Sequence, residues 1–182
     1  MINRIINPKH LLIWFYILAC SVTVSLATPH PDLLTQLDEF EIAINNASGD
    51  VDQIKNLVQE KINAFPEDAP FIAAFAAFLV PNHAPAIAEI AAILMPNLTT
   101  EIAFAVIYAA PESAETVKNT CSTISPDQNS DITIAANVAV KKRNTSGINF
   151  DSAYQLALTA ADETDLFMRD ITPPPPIAVY GQ

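Results

Sequence analysis

The sequence predicts an all-α fold, a stack of short helices repeated in register, and three observations carry it. Prolines stand at Pro66, Pro81, Pro96, Pro111 and Pro126, fifteen residues apart each time. The phrases they lead share one form, clearest in PEDAPFIAAFAAFLV, PNHAPAIAEIAAILM and PNLTTEIAFAVIYAA. PESAETVKNTCSTIS and PDQNSDITIAANVAV follow with weaker apolar content, and VDQIKNLVQEKINAF precedes them in register without its proline, making six units. The third observation is the apolar spacing inside a unit. With the proline as position 1, apolar residues gather at positions 4, 7, 11 and 14, as in Ala69, Ile72, Ala76 and Leu79. Steps of 3, 4 and 3 describe one face of a helix and not the alternation of a strand.

In chain order, the first element after the leader runs from Pro31 to Asn46, where Leu33, Leu34, Leu37, Phe40 and Ile44 keep helical spacing. It is the expected N-terminal helical cap of the stack. Asn45, Asn46, Ser48 and Gly49 end it, and Asp50 is placed to cap the helix of the first unit. In later units Asn82, Asn97 and Asp127 at position 2 are the expected N-caps. Pro70 and Pro85 fall in the first helical turn, whose amides have no intrahelical acceptor, so they do no harm there. The next unit's proline lacks an amide and disfavours helical geometry in the residue before it. Each helix should therefore end near position 14 or 15. Links of two or three residues then force neighbouring helices back against each other.

Such helices are too short to be stable alone, so the units must form a stack, either α-solenoid-like or a compact bundle. The centre is the more apolar part. Phe75, Ile90 and Ala105 extend the apolar stripe at position 10, which places units two to four under cover on more than one side. The fifth and sixth units turn polar at Thr120, Ser122 and Asn137, as at the end of a stack. The repeat matches neither the period of about 34 residues of tetratricopeptide units nor that of about 33 of ankyrin units. Prolines interrupt the apolar runs well before the roughly 20 residues that a membrane-spanning helix needs.

Four regions follow. Residues 1–27 read as an export signal, with Arg4 and Lys9 before the apolar run LLIWFYILA and a small-residue cleavage site at Ser25-Leu26-Ala27. Two other readings fit the same residues. Ile17-Leu18-Ala19-Cys20 resembles the bacterial lipobox, which makes Cys20 a candidate lipidation site, and an uncleaved leader would be a membrane anchor. Residues 28–140 form the helical repeat domain. Residues 141–165 start with the basic cluster Lys141, Lys142 and Arg143 and a loop at Asn144 to Gly147, then allow one short helix over Phe150, Tyr154, Leu156, Leu158 and Ala161. Residues 166–182 are expected to be a poorly ordered, proline-rich tail. Its four prolines, Pro173 to Pro176, impose an extended geometry suited to a spacer or to an aromatic groove.

The chain of 182 residues carries a formal charge of −11, and loss of residues 1–27 leaves 7 basic against 20 acidic residues, or −13. That sign makes nucleic acid a poor partner. Motifs for catalysis are weak. Cys121 lies in the inward column at position 11 and reads as a buried thiol, with a reactive thiol or an intermolecular disulfide as the alternative. His30 and His83 have no ligand-spaced companions, so no metal is expected. Glu112 and Glu115 share a helix face without an apolar or nucleophilic neighbour, and Ser113 and Ser122 have no nearby histidine. With three glycines in the chain there is no phosphate-cradling loop, and no cofactor is expected.

The function that fits is a non-enzymatic interaction or structural protein of a bacterial envelope, periplasmic or secreted, with an outer-membrane lipoprotein as the alternative location. Its expected partner is another envelope or extracellular protein, and it touches membrane through a lipid anchor or uncleaved leader. Two rival functions are a ligand-binding or hydrolytic protein with a pocket between helices, and a secreted effector that acts on membranes.

Overall fold

The computed structural model describes residues 28–171. The expected export signal, with Cys20, and the four-proline segment lie outside the described residues. The N-terminal cap comprises α1 (Pro31–Leu34) and α2 (Leu37–Asn46). The six units contribute α3 (Val51–Ala64), α4 (Ala69–Leu79), α5 (Ala84–Leu94), α6 (Thr99–Ala109), α7 (Ala114–Ile124) and α8 (Asn129–Ser146). A last helix, α9 (Ala153–Ile171), follows outside the repeat.

One link geometry is used five times. The residue before each proline (Phe65, Val80, Met95, Ala110, Ser125) has φ between −136° and −125° and ψ between 65° and 73°. Helical ψ is sterically disfavoured there by the proline ring. Its N–H still donates to the position-11 carbonyl at 2.9–3.0 Å, closing the old helix, and its own carbonyl accepts from the position-3 N–H at 2.9–3.1 Å. Positions 1 to 3 form a single 3-10 turn that feeds the next helix.

This link corrects the expected N-caps. Asn82, Asn97 and Asp127 cap nothing, because they lie inside the 3-10 turn and the α-helix starts two residues later. Backbone carbonyls already take the first free amides, so no side chain is needed. In the first unit, which has no leading proline, a side-chain cap is used: Asp50 accepts from the N–H groups of Asp52 and Gln53, both at 3.1 Å.

The helices alternate between two layers. Each shares its most extensive contact with the second helix along, so α3, α5 and α7 form one layer and α4, α6 and α8 the other. α9 lies across α4 and α6, and α2 packs on α3 and α4. The two middle helices are therefore covered on both sides. In α4 every residue from Phe71 to Ala77 is buried, and in α6 every residue from Ile102 to Ala109. α5 buries one face (Ala84, Ile87, Ala88, Ala91, Ala92), leaves Ile90 half-buried, and exposes Ile93 at 56 %. Two-sided burial thus belongs to the second and fourth units, while the third, expected to share it, stands in the outer layer.

The first unit also differs from the others. Its buried residues are Ile54, Val58 and Ile62, and position 11 is Lys61, whose Nζ donates to Gln36 at 2.9 Å and sits 5.6 Å from the Phe40 ring centre. The stem packs while the ammonium finds a partner.

Links at one end of the stack are tied two units apart. Gln128 Nε2 donates to the Pro96 carbonyl at 2.9 Å, and Thr100 Oγ1 donates to Gln128 Oε1 at 3.0 Å. The buried hydroxyls of Thr99 and Ser125 meet at 2.8 Å. These bonds satisfy polar groups that would otherwise be costly inside. At the end of the repeat, α8 continues through Lys141, Lys142 and Arg143 to Ser146, and Gly147 closes it with a left-handed φ of 61°. The loop expected from residue 141 is thus confined to 147–152, and the short helix expected there is the 19-residue α9. The part of the expected tail within the description, residues 166–171, is helical.

Phe104 stacks on Phe167 of α9 at 5.1 Å between ring centres and is fully buried. Phe104→Ala should lower the unfolding free energy by about 3–5 kcal/mol in urea denaturation, whereas Ile93→Ala in the outer layer should change it by less than about 0.5 kcal/mol.

Candidate functional site

The sites suggested by sequence do not come together. Cys121 is fully buried in α7 and unpaired. Burial pushes its thiol up to about 12, which keeps it protonated and withholds the thiolate that nucleophilic chemistry requires. Glu112 is exposed, and Glu115 is engaged by Lys118 Nζ at 2.7 Å and by Asn119. The hydrogen bond from Lys118, then its charge, holds the Glu115 carboxyl below the usual range, so this is a structural ion pair. Ser113 Oγ donates to the Pro81 carbonyl at 3.3 Å, while His83 Nε2 lies 3.1 Å from the Ser48 carbonyl oxygen. Among the described residues, no three His, Cys, Asp or Glu side chains are grouped to share a metal ion. No described helix is long and apolar enough to cross a membrane.

A cleft that the sequence did not single out lies where three elements meet. The first turns of α4 and α6 face the second half of α9 around a space of about 260 Å³. Phe71, Leu98 and Met168 supply apolar wall, and Glu67, Asp68, Glu101 and Asp165 supply carboxylates. A wider, open cleft of about 590 Å³ adjoins it, shares Glu67 and Asp68, and reaches His30, Asp32 and Phe65. His30 fixes this corner, since its N–H donates to Asp68 Oδ2 at 3.0 Å and its ring lies 5.6 Å from that of Phe65.

The carboxylates stand there for a local reason. Glu67 and Asp68 occupy the 3-10 turn that leads into α4, and Glu101 the first turn of α6, where the positive end of a helix favours negative charge. Asp165 is held by Arg169 one turn later in α9 at 2.6 Å. Glu101 is half-buried and makes no ion pair with a described residue. Desolvation raises its carboxyl above the ordinary value, partly countered by a backbone hydrogen bond.

The repeat period did hold a signal for half of this cleft. Units two and four stand in the same layer, so turns thirty residues apart open at the same end of the stack. The α9 side had no such signal, because α9 is out of register with the repeat.

These features define an all-helical, two-layered repeat protein built of proline-led units under an N-terminal helical cap. No known protein family, characterised protein or solved structure matches the chain.

Two predictions follow from the burial of these groups. In the folded protein at pH 8, alkylation mapped by peptide mass should leave Cys121 unmodified, and denaturation in urea should make it react fully. Glu101→Gln should raise the thermal midpoint at pH 7, because the carboxyl's folded pKa lies above its unfolded one and ionisation therefore opposes folding. That gain should vanish near pH 3, where the carboxyl is protonated in both states; a gain of equal size at both pH values would point to packing instead.

Proposed function

We propose that this chain is an exported, non-enzymatic interaction protein of a bacterial envelope that presents a rigid acidic helical surface to another protein. The observation that carries the reading is the division of labour in the stack. The apolar side chains of α4 and α6 are consumed by packing on both sides, and no charged residue among those described is buried. A surface of this kind keeps its shape, which lowers the entropic cost of docking. The leader read in residues 1–27 supports export, and the excess of 20 acidic over 9 basic residues supports a partner of opposite charge.

A second reading, a small-ligand-binding protein, draws on the cleft between α4, α6 and α9. At about 260 Å³ and open to solvent it is at or below the low end of pockets that enclose a ligand, about 300–1,000 Å³, so we place it second.

The test is an intact mass of the chain recovered from fractionated cells, followed by native mass spectrometry of the fraction that holds it. A chain starting at Thr28, or at a lipid-modified Cys20, in a stoichiometric complex with another protein is the expected result. An unprocessed chain in the cytoplasm would sink the export reading, and a processed chain that stays free of partners at native concentration would sink the interaction reading.

A further inference from the structure

We propose that the cleft between α4, α6 and α9 seats a lysine- or arginine-bearing segment of the partner polypeptide, an inference that rests on the interaction reading above. The geometry gives the occupant two requirements. Its walls at Phe71, Leu98 and Met168 are apolar, which suits an aliphatic stem. Its charged lining is acidic, and among the described residues no lysine or arginine side chain lines either this cleft or the adjoining one. Arg169, the cation nearest in sequence to the lining, is taken up by Asp165.

Glu101 decides the sign. It is a half-buried carboxylate with no ion-pair partner among the described residues, so its desolvation is uncompensated by them, and an arriving cation would supply a partner. An anion would be repelled by the same lining, and an uncharged apolar group would desolvate Glu101 further without pairing it. The adjoining cleft also combines apolar and acidic lining, with Phe65 and Pro66 beside Asp32, Glu67 and Asp68, and it carries the His30 ring as well. That continuity favours an extended segment over a free amine, because neighbouring residues of a polypeptide have a place to lie.

The experiment is calorimetric titration of the full chain with a short peptide alternating leucine and lysine, with its glutamate-for-lysine counterpart, and with N-acetyl-lysine amide. The lysine peptide should bind and weaken as salt is added, and the glutamate peptide should not bind. The double variant Glu67→Gln/Glu101→Gln should lose affinity by about tenfold. A second double variant with the same change in charge, Glu112→Gln/Asp131→Asn, alters exposed residues outside the cleft lining and should bind as before. Equal losses in the two double variants would mean diffuse attraction to an acidic protein and would overturn the proposal. So would absence of lysine-peptide binding, or lysine amide binding as tightly as the peptide. If a complex recovered from cells survives Glu67→Gln/Glu101→Gln unchanged, the cleft assignment fails and the interaction reading stands. If the lysine peptide binds at the cleft but no partner is recovered, the interaction reading fails instead.

Discussion

The structure depends on what a proline does to a helix that reaches it: the ring disfavours helical ψ in the residue before, and the proline brings no amide to continue the ladder. Phe65, Val80, Met95, Ala110 and Ser125 stand at helix ends and all adopt the same substitute geometry, whereas Ala69 and Ala84, before Pro70 and Pro85 at helix starts, keep helical angles. The pre-proline amide still closes the old helix and the pre-proline carbonyl opens the next turn, so both polar groups of that residue are satisfied at the link. A stop signal that keeps these groups paired can be repeated at fixed spacing. The stack is the consequence.

Alternation follows from the link and explains the composition. Successive helices fall in opposite layers, so a helix meets its second neighbour side by side. Buried alanines such as Ala76, Ala91, Ala135 and Ala139 add little bulk to the core, which suits helices packed closely together. The middle-layer helices α4 and α6 must be apolar on nearly every side because α9 covers what the outer layer does not. A single helix outside the repeat thus sets the character of two helices inside it.

The same arrangement places the acidic clefts. Carboxylates favoured at the starts of α4 and α6 are brought to one end of the molecule by the two-layer alternation, and α9 closes the third side. None of the four residues is unusual by itself. Their meaning comes from being collected around apolar wall, with Glu101 given no ion-pair partner among the described residues.

Proline period and apolar spacing were enough, in the sequence alone, to determine the repeated helices and the C-terminal ends of α3 to α7, since those depend on local sterics and on which face is apolar. Asp50 was legible as a cap for the same reason: its bond reaches two and three residues along the chain. Asn82, Asn97 and Asp127 misled because capping propensity is a local preference that a better backbone arrangement displaced. Cys121 was legible as an inward residue from its column, but the height of its thiol pKa depends on how tightly neighbours exclude water. The layer of each helix, the one-sided burial of α5, the length of α9 and the cleft it completes were decided by tertiary structure. They depend on contacts between residues distant in the chain, such as Phe104 with Phe167, and α9, lacking the repeat's register, offered no spacing from which to place it.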